Sequence, residues 1–298
     1  MTARTVPVAP SRPMSIPASW RHRYQDVPYY GVLIAWSCVT IFIFAWLITT
    51  SFKSNPEVFG SPWALPDAPL QSAAANYNKA WNLVHMRTYF TNSLVVTVTS
   101  VIAVIALSAP ASYALSRVSF PGNTTITYYF IAGLGLPYQL ILIPLFVLLA
   151  RLRIADTLPG LILVYIGVSI PFTILLLGGF FRTLPSELED SGAIDGASEF
   201  AIFWRLMMPL ATPGIITAAI FNVIGIWNEF LLALLIINSD QRRTLPLGVL
   251  NIRYSMQYTA DWAGLFAAVV IVIVPLFLLY LVLSERIIAG LTLGTTKG

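Results

Sequence analysis

The sequence predicts an all-α membrane protein of six transmembrane helices. Charged residues make up 10% of its 298 residues and apolar residues 57%, whereas ordinary soluble domains are about 25% charged. Six windows carry no Asp, Glu, Lys or Arg: Pro28–Phe52, Thr88–Ser116, Val118–Ala150, Thr157–Phe181, Leu206–Asn228 and Trp262–Ser284. Each is long enough for the roughly 20 residues that cross a bilayer as helix. None shows the polar face of a soluble helix of that length.

Composition also excludes other classes. A net charge of +4, with no run of Lys or Arg, carries no nucleic-acid footprint. The single cysteine, Cys38, permits no disulfide framework within the chain and reads as a small packing residue. His22 and His85 are far apart and have no ligand-like neighbours, so no metal site is predicted. The chain has no G-x-x-x-x-G-K-[ST] phosphate loop and no ATP site of that kind.

Taken in order, residues 1–28 read as a disordered tail, with Arg4, Arg12, Arg21 and Arg23 alongside Pro7, Pro10, Pro13 and Pro17. The first apolar run is too long for a cleaved signal peptide. The tail's arginines place the N-terminus in the cytoplasm, and six spans return the C-terminus there. Counted with the tail, Lys and Arg divide 9 inside to 8 outside, so the tail carries the orientation. Lys53–Arg87 is then external, with Pro56, Pro62, Pro66 and Pro69 setting turns and Trp63 and Trp81 at the interface. Pro121-Gly122 turns the chain on the cytoplasmic side. "RLRIADT" and "NSDQRRTLPLGVLNIRYSMQYTAD" are external. Residues 29–298 form the membrane domain. Pro110, Pro137, Pro144, Pro171, Pro213 and Pro275 fall within spans, either tolerated or serving a bundle that flexes. No internal repeat and no inverted pair of broken segments is evident.

Between the fourth and fifth windows lies "PSELEDSGAIDGASEFAIFWRLMMPLATPG". Asp195-Gly196 is a turn signal. Ser198 can cap a helix with Glu199 in its first turn. Phe200, Phe203, Trp204 and Met207 recur at helical spacing on one face. The stretch predicts two short helices joined at a glycine on the cytoplasmic surface. A helix lying on lipid favours Lys and Arg. Here Glu187, Glu189, Asp190, Asp195 and Glu199 stand against Arg205 alone, which favours a protein partner.

This stretch resembles the cytoplasmic EAA loop of ABC importer permeases, on Ile194-Asp195-Gly196-Ala197 and the later Pro209. "FTNSLVVT", "ASYALSRVSFPG", "LPYQLILIPLF", "IADTLPGLIL", "WNEFLLALLI", "TLPLGV" and "ERIIAGLTLGTTKG" resemble the carbohydrate-importing, maltose-type branch, so the likeness runs over residues 30–298. It implies a type I importer bundle with a coupling helix within 184–208 that docks on an ATPase. Glu189, Asp190, Asp195, Gly196, Ala197, Phe200 and Phe203 are the implied coupling residues. The family's Glu-Ala-Ala reads Asp190-Ser191-Gly192 here, and glycine weakens a helix by about 1 kcal/mol relative to alanine. The implied partners are a second, non-identical permease, two ATPase subunits that bind ATP and magnesium, and an extracytoplasmic solute-binding protein, in a bacterial cytoplasmic membrane. No cofactor and no enzymatic activity is expected of this chain.

Glu229 is the one charge from Leu206 to Asn238. A charge at membrane depth faces the bundle or water. On a regular helix Ala218, Asn222, Gly225 and Glu229 share a stripe, which suits either a hydrated cavity or helix packing. Asn222, Gly225, Asn228, Glu229 and, beside Pro137, Gln139 are the candidate substrate-path residues. The alternative function is an ion-coupled secondary transporter, for which Glu229 is the one intramembrane acid on offer.

Overall fold

The structure, a computed structural model, describes residues 27–83, 85–250 and 260–293. Residues 1–26 of the expected tail, 251–259 of the expected external loop and 294–298 lie outside them. The chain divides into two compact units, Met1–Thr49 and Thr50–Gly298. The first span is a 25-residue helix, Val27–Ser51. It is apolar on every side and leaves Cys38 exposed rather than packed as expected.

Among the described residues, four helices are long and apolar enough to cross a bilayer: Tyr29–Ser51, Met86–Arg117, Leu158–Thr183 and Trp262–Leu281. The third and fifth windows are bent pairs instead. Asn123–Gly135 meets Tyr138–Arg151 at 88°, and Glu199–Leu210 meets Thr212–Asn228 at 71°. The first bend falls at Pro137, just after Gly133 and Gly135, where a missing N–H coincides with weak helix formers. The second falls between Pro209 and Pro213. Pro110, with no glycine nearby, and Pro171, with the single Gly167 four residues before it, sit inside continuous helices.

The second span (Met86–Arg117) and the fourth (Leu158–Thr183) form the central helix pair. The second span buries Ser93, Thr97, Ser100, Ser108, Ala109 and Ser112. Small residues bring membrane helices close where the hydrophobic effect supplies no drive. A Cβ on Gly178 would sit 3.9 Å from the Ser112 carbonyl oxygen. The Ser112 hydroxyl lies 2.6 Å from the Ser108 carbonyl and 3.0 Å from that of Ile174, across the pair.

The loops expected on the external side meet one another. Asn55 Nδ2 donates to Asp261 Oδ1 (2.9 Å), and Lys79 pairs with the same carboxylate at 2.5 Å. Asp156 accepts from the backbone N–H groups of Asn238 and Ser239 (2.9 Å each) and pairs with Arg242 at 3.1 Å. The Tyr89 hydroxyl donates to Asp240 Oδ1 (2.8 Å). Burial pushes both Asp156 and Asp261 up, but their donors outweigh it. Ser239, Asn238 and Arg242 hold Asp156 below the usual carboxylate range, and Lys79, Asn55 and the Gly264 N–H do so for Asp261. Lys53 is buried and donates to the carbonyls of Ser61 (2.8 Å) and Pro62 (2.9 Å), which closes the start of the first loop.

Candidate functional site

The acidic stretch folds as two short helices joined at a glycine. Glu187–Ile194 carries Glu187, Glu189 and Asp190 in its first turn, where negative charge suits the helix dipole. It ends in a Schellman arrangement. The Gly196 N–H donates to Ala193 O and the Ala197 N–H to Gly192 O, both at 3.0 Å. Gly196 has φ +77°, a conformation that glycine adopts without steric cost. Ser198 then caps Glu199–Ile202, its hydroxyl accepting from the Ala201 N–H at 3.3 Å. Gly192, at the family's alanine position, is where the two helices approach: a Cβ there would lie 3.1 Å from Ile202 Cγ1.

The aromatic face divides. A π turn over Phe203–Met207, closed by the Met208 N–H on Phe203 O, rotates the helix surface away from regular spacing. Phe203 and Met207 turn inward against Ala109, Leu177 and Phe181. Phe200 (74% exposed) and Trp204 (46%) remain outside, ring centroids 6.1 Å apart. Phe203, expected on the partner-facing surface, is instead packed 5.0 Å from the Tyr113 ring. Asp190, Asp195, Gly196, Ala197 and Phe200 are exposed, beside Ile194 at 86%.

Glu189 also differs from the other acids. Its Oε1 accepts from the Tyr113 hydroxyl (2.8 Å). Its Oε2 accepts from Arg117 Nε (3.0 Å) and lies 2.7 Å from Arg117 Nη2. Sequence reasoning named neither Tyr113 nor Arg117. Both lie in "ASYALSR", which carried the family likeness without a role for either.

The candidate path residues separate into two groups. Asn222 is buried and donates to Thr173 Oγ1 (2.9 Å) and Ala218 O (2.8 Å), so it joins the fifth span to the fourth. Glu229 lies past the end of the Thr212–Asn228 helix. Its Oε1 accepts from the Leu232 N–H (2.8 Å); its Oε2 accepts from the Ala233 N–H (3.1 Å) and the Tyr165 hydroxyl (2.8 Å). The stripe assumed a regular helix through residue 229, but the helix stops at Asn228, and Glu229 caps the next one, Leu231–Ile236. Gly225, Asn228 and Gln139 are exposed, and Asn228 returns its amide to Ile224 O at 2.8 Å. Two apolar recesses, of about 250 Å³ at Phe180–Gly214 and about 310 Å³ at Gly133–Pro171, include none of the five. Among the described residues no group of three or more His, Cys, Asp or Glu is placed to hold a metal ion.

Comparison with known proteins fits this architecture. Residues 108–291 match the family described as binding-protein-dependent transport system inner membrane component. The chain is 38% identical over 280 residues to the diacetylchitobiose uptake system permease protein NgcG of Streptomyces coelicolor, covering 94% of this chain and 91% of that one. It is 34% identical to the sulfoquinovosyl glycerol transport system permease protein SmoH of Agrobacterium fabrum, covering 85% and 87%. A chain from the crystal structure of a bacterial ABC transporter involved in import of the acidic polysaccharide alginate shares the fold. It has a TM-score of 0.78 at 18% identity, with 92% of this chain and 99% of that one covered. A family match over most of the membrane domain, with a relative spanning nearly the whole chain, settles the assignment: this chain belongs to the inner-membrane components of binding-protein-dependent transport systems.

Proposed function

We propose that the chain forms one half of the translocation path for a sugar or related solute, driven by ATP hydrolysis in partner subunits. Family membership implies ATPase and substrate-binding partners. The finer reading adds a second, non-identical permease and two ATPase copies that hold the ATP and magnesium. The sugar class is supported by NgcG and SmoH, whose names state a disaccharide and a glycosyl glycerol. The observation that carries the coupling role is the exposed surface of Asp190, Asp195, Ile194, Phe200 and Trp204 around the Gly196 joint. Acids around aromatic anchors fit a basic cleft with an apolar floor.

Gly196→Pro tests it. Proline fixes φ near −65° and removes the N–H that Gly196 donates to Ala193. Uptake of labelled diacetylchitobiose by the complete transporter is expected to fall about tenfold or more, equivalent to roughly 1.4 kcal/mol of lost coupling. The chain should still reach the membrane in normal amount. Uptake at the unmodified rate would refute the role of the joint.

Both termini are proposed to face the cytoplasm, on the strength of the tail arginines. A reporter fused after Thr183 should then be cytoplasmic and one after Asp240 external. The reverse pair of results overturns the orientation.

A further inference from the structure

We infer that Glu189 is a positioning residue that fastens the coupling loop to the second span, so that loop and span move as one body. The inference rests on the coupling role proposed above.

The loop's own chain connections are poor levers. Before it, Leu184 is extended (φ −73°, ψ 140°) and breaks the helix ahead of the loop. After it, the fifth span bends by 71° at Ala211 and is interrupted again between Asn228 and Leu231. The second span is one continuous helix of 32 residues, about 48 Å long at 1.5 Å per residue. Glu189 joins the loop to its inner end through Arg117 and Tyr113. Its outer end is tied to the last external loop. There Asn92 Nδ2 donates to the carbonyls of Gln241 and Arg243 (2.9 Å each), and Ser93 Oγ accepts from the Leu245 N–H at 2.8 Å. One unbroken helix thus joins the loop at one face to the chain at the other.

Among the loop's acids, Glu189 is held against the second span while Glu187, Asp190, Asp195 and Glu199 are exposed. Its carboxylate is 21% exposed and Arg117 12%. Charge-assisted bonds to a guanidinium fix direction as well as distance. The aromatic contacts of Phe203 press the loop onto the same span without fixing its angle.

The test uses the complete transporter in lipid bilayers, with nitroxide labels at exposed Ser186 at the start of the loop helix, off the docking surface, and exposed Leu107 on the second span. Label separation is measured by pulsed electron resonance without nucleotide and with ATP plus vanadate. In the unmodified chain the separation should agree between the two states to within about 2 Å, the scale of ordinary helix shifts. In Glu189→Gln and Arg117→Gln it should change between states by about 5 Å, close to one helical turn, or broaden strongly. Combining Glu189→Arg with Arg117→Glu should restore the unmodified behaviour. A Glu189→Gln chain indistinguishable from the unmodified one in both states overturns the inference. So does an exchanged pair that behaves like the single variants. The function reading fails separately, if no ATPase subunit purifies with the unmodified chain. The labels are then read on the chain alone, where Glu189→Gln must still broaden the separation for the fastening to stand.

Discussion

Glu229→Ala should destabilise the chain by about 2–3 kcal/mol. The substitution leaves the Leu232 and Ala233 N–H groups and the Tyr165 hydroxyl without the oxygens they now use. A buried donor stripped of its acceptor costs about 1–3 kcal/mol, though hydrogen bonds between membrane helices average only about 0.6 kcal/mol. Removing a charge from an apolar span returns part of the loss. Glu229→Gln keeps one carbonyl oxygen and should cost less than half as much; Tyr165→Phe should cost no more than about 1 kcal/mol. The measurement is denaturant unfolding of the purified chain in detergent. If Ala and Gln are equally stable, Glu229 is not a cap. If Gln folds normally yet abolishes uptake, the carboxylate acts on the path after all. The cap also weakens the ion-coupled alternative, since the acid that reading needs is held by three donors of its own chain.

Gly160→Ala should cost about 3 kcal/mol or more, a large loss for one methyl group. The added Cβ would stand 2.2 Å from the Ile154 carbonyl oxygen, which is backbone and cannot swing aside. The same turn is closed by Thr157, whose hydroxyl donates to Ile154 O (2.7 Å) and accepts from the Gly160 N–H (3.1 Å). Relieving the clash breaks this cap, worth about 1 kcal/mol, on top of roughly 1–3 kcal/mol for overpacking. Gly167→Ala is the control on the same helix, because nothing lies within 4 Å of its added carbon. Thermal aggregation of the solubilised chains should fall well below the unmodified temperature for Gly160→Ala and stay near it for Gly167→Ala. Equal behaviour of the two would show that the turn yields easily.

Features that depend on nearby residues were legible before any coordinates. The charge-free windows located the spans, and Asp195-Gly196 located the joint between the loop helices. Backbone irregularity was not. Pro137 breaks a helix and Pro171 does not, although both lie in apolar runs with a glycine four residues before; Pro137 has a second, Gly135, beside it. The π turn at Phe203–Met207 has no signature in periodicity, so Phe203 was placed with Phe200 although it turns inward. Glu229 was assigned from a wheel that continued past the helix end. The Glu189–Arg117 pair spans 72 positions, and spacing alone cannot select one partner for an acid among several.

The tie between Asn55 and Asp261 bridges 206 positions of sequence. In a growing polypeptide the loop after the first span is finished long before its carboxylate partner exists. At about 5–20 residues per second of synthesis, Asn55 and Lys79 wait roughly 10–40 s for Asp261. During that interval Lys53, with its bonds to Ser61 and Pro62, gives the loop a local closure that needs nothing downstream. Biogenesis therefore has two stages at these loops: one that shapes itself early, and a seal that forms once the last span has been threaded into the bilayer.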